Sequence, residues 1–326
     1  MTTPSPTPSP TSSPSSSGIP SSLPAHPYEH CDPRFSGLIV PSARLDCLHG
    51  GSRWTEGPVY LPATDELIWS DIPNNRLLRW SEGAGAGVFR QPSDYNNGNT
   101  LDREGRIVGC LHGARAVVRT EHDGRRTVLA SHWQGKRLNS PNDVVVRSDG
   151  SIWFTDPAYG IDSDYEGHKA DSEIGGCHVY RIDGQSGALT LVSHDFERPN
   201  GLAFSPDEKR LYIADTGRTH RADGPHHIRV FQVGDDGQLS GGQVFATITP
   251  GLADGFRIDA LGNVWTSAGD GVHCYAPDAR LLGKIRVPEV VSNVCFGGPR
   301  HNRLFITATT SLYAIYLAVN GARRPG

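Results

Sequence analysis

A chain of 326 residues with 38 Gly and 24 Pro carries more chain-turning residues than long helices tolerate, and 37% hydrophobic residues suffice for a sizeable core. A net charge of −4 without a basic run argues against a nucleic-acid partner, and the absence of any 18-residue apolar stretch argues against a membrane-spanning helix. The six cysteines (Cys31, Cys47, Cys110, Cys177, Cys274 and Cys295) form no C-x-x-C pair, need no disulfide framework in a chain of this length, and read mostly as buried thiols.

Residues 2–24 are built only from Thr, Pro, Ser, Gly, Ile and Leu, too little apolar surface to offset their ordering entropy. We read 1–36 as a disordered tail and lead-in, with folding expected to begin near Gly37. Neither a basic n-region nor an apolar h-region opens the chain, which points to a cytoplasmic address. From Gly37 onward a pattern recurs: a polar residue, a short apolar strand, a turn and a second strand. The six copies are Glu56-Gly-Pro-Val-Tyr60 with Leu67 to Asp71, Asn97-Gly-Asn-Thr-Leu101 with Arg106 to Cys110, and Asn142-Asp-Val-Val-Val146 with Ser151 to Asp156. Then follow Asn200-Gly-Leu-Ala-Phe204 with Leu211 to Asp215, Asp254-Gly-Phe-Arg-Ile258 with Asn263 to Ser267, and Asn293-Val-Cys-Phe296 with Leu304 to Thr307.

The leading residues stand 41, 45, 58, 54 and 39 positions apart, the spacing of propeller blades with insertions in the third and fourth units. The fold class expected is therefore all-β: a six-bladed β-propeller over 37–320, with a central metal site and a short tail at 321–326. Five or seven blades are the structural alternatives. A ring must hide its seam, so one of the segments 38–40 and 44–48 should pair with the last blade, which ends near Leu317. Trp69, Trp153, Tyr212 and Trp265 read as core between blades.

In a propeller the innermost strands line the channel, so equivalent positions converge on the axis. Glu56, Asn97, Asn142, Asn200, Asp254 and Asn293 then supply two carboxylates and several amide oxygens at one place. Taken singly, Asn200-Gly201 and Asp254-Gly255 are ordinary turn dipeptides; Glu56, which is no turn former, at the same phase points instead to a shared site. Oxygen donors of this kind suit one divalent cation, Ca²⁺ foremost, with Mg²⁺, Mn²⁺ and Zn²⁺ as alternatives. His112 should lie near the channel mouth as a base or a substrate contact, or else as a hydrogen-bonded structural histidine. Asn97 and Asn142 are further substrate-contact candidates. Asp162, Asp164, Glu166, Gly167 and Glu173 match five positions of an EF-hand loop, but no helix flanks them. We read them as a solvated acidic insertion placed to cover the channel mouth.

The runs Glu56-Gly-Pro58, Ser140-Pro-Asn-Asp143, Arg198-Pro-Asn-Gly201, Ala253-Asp-Gly255, Trp153-Phe-Thr-Asp-Pro157 and Trp265 to Gly271 resemble the SMP-30/gluconolactonase family, closest to its bacterial gluconolactonases. The resemblance spans roughly 38–318. It implies a six-bladed propeller in which Glu56, Asn200 and Asp254 bind a divalent ion, with Asn142 as a fourth ligand or a substrate contact. Vertebrate members carry Arg where Ser140 stands here, so sugar recognition should differ. The activity implied is metal-dependent hydrolysis of a sugar lactone such as glucono-δ-lactone, with Asp254 the first candidate base and His112 the second. Asp143 is a weaker one, because strand neighbours point to opposite faces. Hydrolysis of organophosphate or other ester bonds on the same ring, and non-catalytic binding, are the competing functions.

Overall fold

The computed structural model describes residues 23–322. Up to residue 22, the segment expected to be a disordered tail lies outside the described residues. Six antiparallel blade sheets follow one another, each with the sequence-derived pair as the two strands at its inner edge. Blade one runs Thr55–Leu61, Glu66–Asp71, Arg76–Ser81 and Gly85–Arg90, and blade two Asn96–Leu101, Ile107–Leu111, Ala116–Thr120 and Arg126–Ala130. Blade three consists of Val144–Val146, Ile152–Asp156, Cys177–Ile182 and Leu189–Phe196, and blade four of Pro199–Phe204, Arg210–Asp215, His227–Val233 and Leu239–Thr247. Blade five contains Phe256–Ile258, Val264–Ala268, Gly271–Tyr275 and Leu281–Arg286; blade six contains Val291–Gly297, Arg303–Ala308 and Leu312–Tyr316. Among the described residues the only α-helix is the single turn Tyr159–Asp162, in keeping with the missing helical periodicity.

The seam closes as expected and more thoroughly. Asp46–His49 supplies the outer strand of blade six, pairing Asp46 with Ala314 and Cys47 with Tyr313. Ile39, in the other candidate segment, bridges Leu317. The expected start at Gly37 is too late. Tyr28–His30 adds a fifth strand to blade five against Leu281–Arg286. Phe35 is fully buried beside Trp265, with ring centroids 6.1 Å apart. The burial of the Phe35 ring is what orders this segment. The far end also runs past residue 320: Gly321 bridges Asp259, and the Ala322 N–H donates to the Ile258 carbonyl at 2.9 Å.

The core lies between blades. Trp69 packs with Phe305 and Leu312 across the one–six contact, and Trp153 with Leu202 and Leu211 between blades three and four. Tyr212 meets Phe256 and Val264 between blades four and five, and Trp265 meets Val294 and Phe296 between five and six. All four aromatics are essentially inaccessible, and burying each contributes about 2–3 kcal/mol to holding its blade against the next. Cys110, Cys274 and Cys295 are buried, Cys47 and Cys177 half-buried, and Cys31 exposed; none is bridged.

Candidate active site

The six leading residues come together because the innermost strands crowd the axis. Here the glycines that follow four of them find their physical reason, and it is not turn formation. A Cβ on Gly201 would strike the Asp254 carbonyl of the next blade, and one on Gly57 would strike that of Asn97. Only a residue without a side chain lets neighbouring backbones approach this closely. The Gly201 N–H donates to Asp254 O and the Gly98 N–H to Asn142 O, each at 2.8 Å, so the inner strands are tied blade to blade. Second-strand hydroxyls add to this ring: Ser70 Oγ donates to Asn97 O at 2.6 Å and Thr155 Oγ1 to Asn200 O at 2.8 Å. At the ends of three second strands, Asp71, Asp156 and Asp215 accept backbone N–H groups of the loops entering the inner strands. These aspartates position the site without belonging to it.

Glu56 is buried. Its Oε2 accepts from the Gly57 N–H at 2.7 Å and from Asn293 Nδ2 at 3.0 Å. Burial pushes its carboxyl up to about 7, against the opposing pull of those two donors. Asp254 donates its N–H to Ser267 Oγ at 2.7 Å. Its carboxyl is raised well above the carboxylate range, first by burial and then by the charges of Glu56, Glu166 and Asp143, with a hydrogen bond from Asn200 opposing. Asn200 Nδ2 also reaches Thr216 Oγ1 at 3.3 Å. Asn142 is fixed through its backbone, its N–H donating to Thr155 O at 2.8 Å.

Both ring nitrogens of His112 are engaged. Nδ1 lies 3.0 Å from the Glu166 carbonyl, which can only accept, so Nδ1 carries the proton. Burial lowers this imidazole to about 4, leaving it neutral at ordinary pH. Nε2 must therefore accept, and its partner at 3.3 Å is Asn97 Nδ2. That orientation leaves Asn97 Oδ1 buried with no hydrogen-bond partner. A buried unpaired acceptor costs stability unless a ligand supplies the donor.

Three residues enter the site that sequence reasoning set aside or missed. Asp143 is buried, and its Oδ2 lies 3.4 Å from Arg257 Nη1. The alternation argument against it fails because residues 142 and 143 precede the regular strand Val144–Val146. Arg257 stands in an inner strand at a phase where Val59, Val145 and Phe296 are apolar, a mismatch visible in the repeat. Its positive charge lowers the proton affinity of Glu56. Glu166 comes from the acidic insertion. The EF-hand positions do not converge: Asp162 pairs with Arg198 at 2.8 Å, Asp164 accepts from the Lys169 N–H, and Glu173 accepts from the Arg137 N–H. Nor is the insertion wholly solvated, because Gly167 is buried and Glu166 half-buried, close enough to raise Asp254. Ser140 anchors the insertion, donating to Pro157 O at 2.7 Å and accepting from the Gly160 N–H at 2.9 Å.

Among the described residues no three His, Cys, Asp or Glu side chains form a ready metal cage. A cation here would depend on amide oxygens beside Glu56 and Asp254. That donor set suits a hard ion, and two buried carboxylates of raised proton affinity have unmet demand for positive charge. A cavity of about 610 Å³ opens at the opposite end of the inner strands, lined by Val59, Leu101, Arg257 and Phe296 among others. It shares only Arg257 with the carboxylate cluster.

A six-bladed propeller with carboxylates and amides gathered at one end of its channel defines a class of small-molecule sites. The chain belongs to the SMP-30/gluconolactonase/LRE-like family, whose model matches residues 54–310. It is 31% identical over 307 residues to a gluconolactonase of Zymomonas mobilis, covering 87% of this chain and 84% of that one. A pentonolactonase of Haloferax volcanii is 28% identical over 264 residues, covering 78% and 81%. Among solved structures, a gluconolactonase from Xanthomonas campestris described as important in glucose secondary metabolism superposes with a TM-score of 0.84 at 38% identity, covering 89% of this chain and 94% of that one.

Proposed function

We propose that this chain hydrolyses a sugar lactone to the aldonic acid, with glucono-δ-lactone the reference substrate, at a divalent cation held by Glu56, Asn200 and Asp254 with Asn142 beside them. The observation that carries this reading is the meeting of Glu56 and Asp254 in one buried place with raised proton affinities, next to amide oxygens. The relatives named gluconolactonase and pentonolactonase support the carboxylic-ester class of the reaction. When bound, the cation supplies Lewis-acid polarisation of the lactone carbonyl.

The protein's own groups do the rest. Asp254 takes a proton from the attacking water, whose oxygen bonds to the carbonyl carbon. The ring C–O bond then breaks, and the departing ring oxygen takes up a proton to leave the open hydroxy acid. His112 holds Asn97 so that Oδ1 faces the substrate as an acceptor. Arg257, paired with Asp143, keeps the carboxylate-rich channel from accumulating unopposed negative charge. Calcium is the first cation to test, with Mg²⁺, Mn²⁺ and Zn²⁺ beside it. The experiment is glucono-δ-lactone hydrolysis by EDTA-stripped protein, with each ion added back singly. Hydrolysis should vanish on stripping and return with Ca²⁺. Full activity in the stripped protein would remove the cation from the proposal, and no hydrolysis with any ion would remove the substrate.

A further inference from the structure

The insertion of the third unit is fastened over the channel mouth at several points. His112 Nδ1 donates to the Glu166 carbonyl, and Gly160 packs so closely on the His112 ring that a Cβ would collide with it. The His168 N–H returns to the Gly160 carbonyl at 3.0 Å, and the His168 ring meets Tyr95 edge-on at 5.2 Å. On the other side, Asp162 is held by Arg198 at 2.8 Å and His220 at 3.0 Å, and Tyr159 Oη contacts Thr216 Oγ1 at 2.7 Å. The backbone of Glu166 is thereby fixed beside the site.

Its side chain is not. Glu166 is half-buried, and among the described residues no donor meets its carboxylate. Asn97 Oδ1, reached from the other nitrogen of the same His112 ring, is likewise an acceptor without a donor. Asn97 Oδ1 lacks the donor that its burial calls for, and the Glu166 carboxylate on the other side of the same imidazole is free to accept, so the pair suits a ligand rich in O–H donors. A lactone ring bearing free hydroxyls can serve both; an alkyl lactone serves neither.

We infer that Glu166, carried over the mouth by the insertion, is a specificity-determining residue whose carboxylate grips the hydroxyls of the lactone together with Asn97. This rests on the lactonase reading above. A site built to pair hydroxyls rejects analogues that lack them far more strongly than an apolar pocket rejects a missing methylene. The side chain of Glu166 takes no part in the contact with His112, so its replacement leaves that anchor intact.

The test compares glucono-δ-lactone with δ-valerolactone, the same ring without hydroxyls, at saturating Ca²⁺, using wild type, Glu166→Gln and Glu166→Ala. Wild type should favour the hydroxylated lactone by roughly a hundredfold or more in kcat/KM. Glu166→Ala should raise KM for glucono-δ-lactone by about tenfold, the loss of a hydrogen bond to a charged group, with little change in kcat. Loss of the Glu166 charge near Asp254 acts on both lactones alike, so the rise in KM should be confined to glucono-δ-lactone while KM for δ-valerolactone stays at its wild-type value, and Glu166→Gln should fall between. An equal loss on both lactones would overturn the inference by making Glu166 catalytic or structural. Weakened Ca²⁺ affinity with KM unchanged would also overturn it, by placing Glu166 in the ion's shell. Activity of all three proteins without any KM difference defeats this inference and spares the lactonase reading. A wild type inactive on both substrates defeats that reading first.

Discussion

Glu56 and Asp254 are both buried carboxylates of raised proton affinity, yet the chemistry asks different things of them. Glu56 is already satisfied by two N–H donors on Oε2. Asp254 has fewer partners and sits among more negative charge. Glu56→Gln keeps shape and removes charge, so it should weaken Ca²⁺ binding while saturating Ca²⁺ restores most turnover. Asp254→Asn should rebind Ca²⁺ at high concentration yet remain at least about a hundredfold below wild type, the usual contribution of a general base. Calorimetric Ca²⁺ titration followed by lactone hydrolysis rates separates the two. Full recovery of Asp254→Asn would make Asp254 a ligand only and pass the base role to His112, whose nitrogens the structure shows already committed to Glu166 and Asn97.

At the scale of elements, the ring holds because the segment before the first blade is built into the last two blades. Asp46–His49 completes blade six, and Tyr28–His30 extends blade five. Phe35, between them, fills a space against Trp265 and Gly283 that nothing else occupies. Phe35→Ala should therefore cost about 3–5 kcal/mol by leaving a cavity, read as a large fall in the denaturant midpoint with an unchanged m-value. A cost within the range of ordinary surface substitutions, about 0.5 kcal/mol, would show that the lead-in is an ornament on the propeller. The paired insertions behave as elements too: Asp162, Arg198 and His220 join the one in blade three to the one in blade four.

For the whole molecule, the channel is a place where folding concentrates carboxylates that repel one another. Glu56 shifts from an ordinary 4.5 to about 7 on folding, so the folded state favours its protonated form. With no cation, this contribution leaves the protein most stable below about pH 4.5 and weakens it as pH climbs towards about 7. A cation binding the ionised pair reverses that loss. Adding Ca²⁺ should thus raise Tm clearly at pH 8 and much less at pH 5, measured by scanning calorimetry on EDTA-stripped protein. An equal rise at both values, or none at pH 8, would speak against an ion held by these carboxylates.

The recurrence of polar residue, strand, turn and strand was enough by itself to establish six blades, the phase of each inner strand and the six residues that meet at the axis. Such a repeat is a local pattern of alternation and turn chemistry, and local patterns are written in the order of the chain. What the glycines after those residues are for is not local: it depends on which backbone arrives from the next blade. Nor could the sequence tell that Phe35 lies inside, that Asp143 escapes strand alternation, or that Ser140 anchors an insertion. Above all, Glu166 reads in sequence as one acid among several in a polar loop. Only the fold, by closing that loop over His112, half-buries it and brings its charge near Asp254, because burial and proximity across more than fifty residues are properties of packing and not of any stretch of chain.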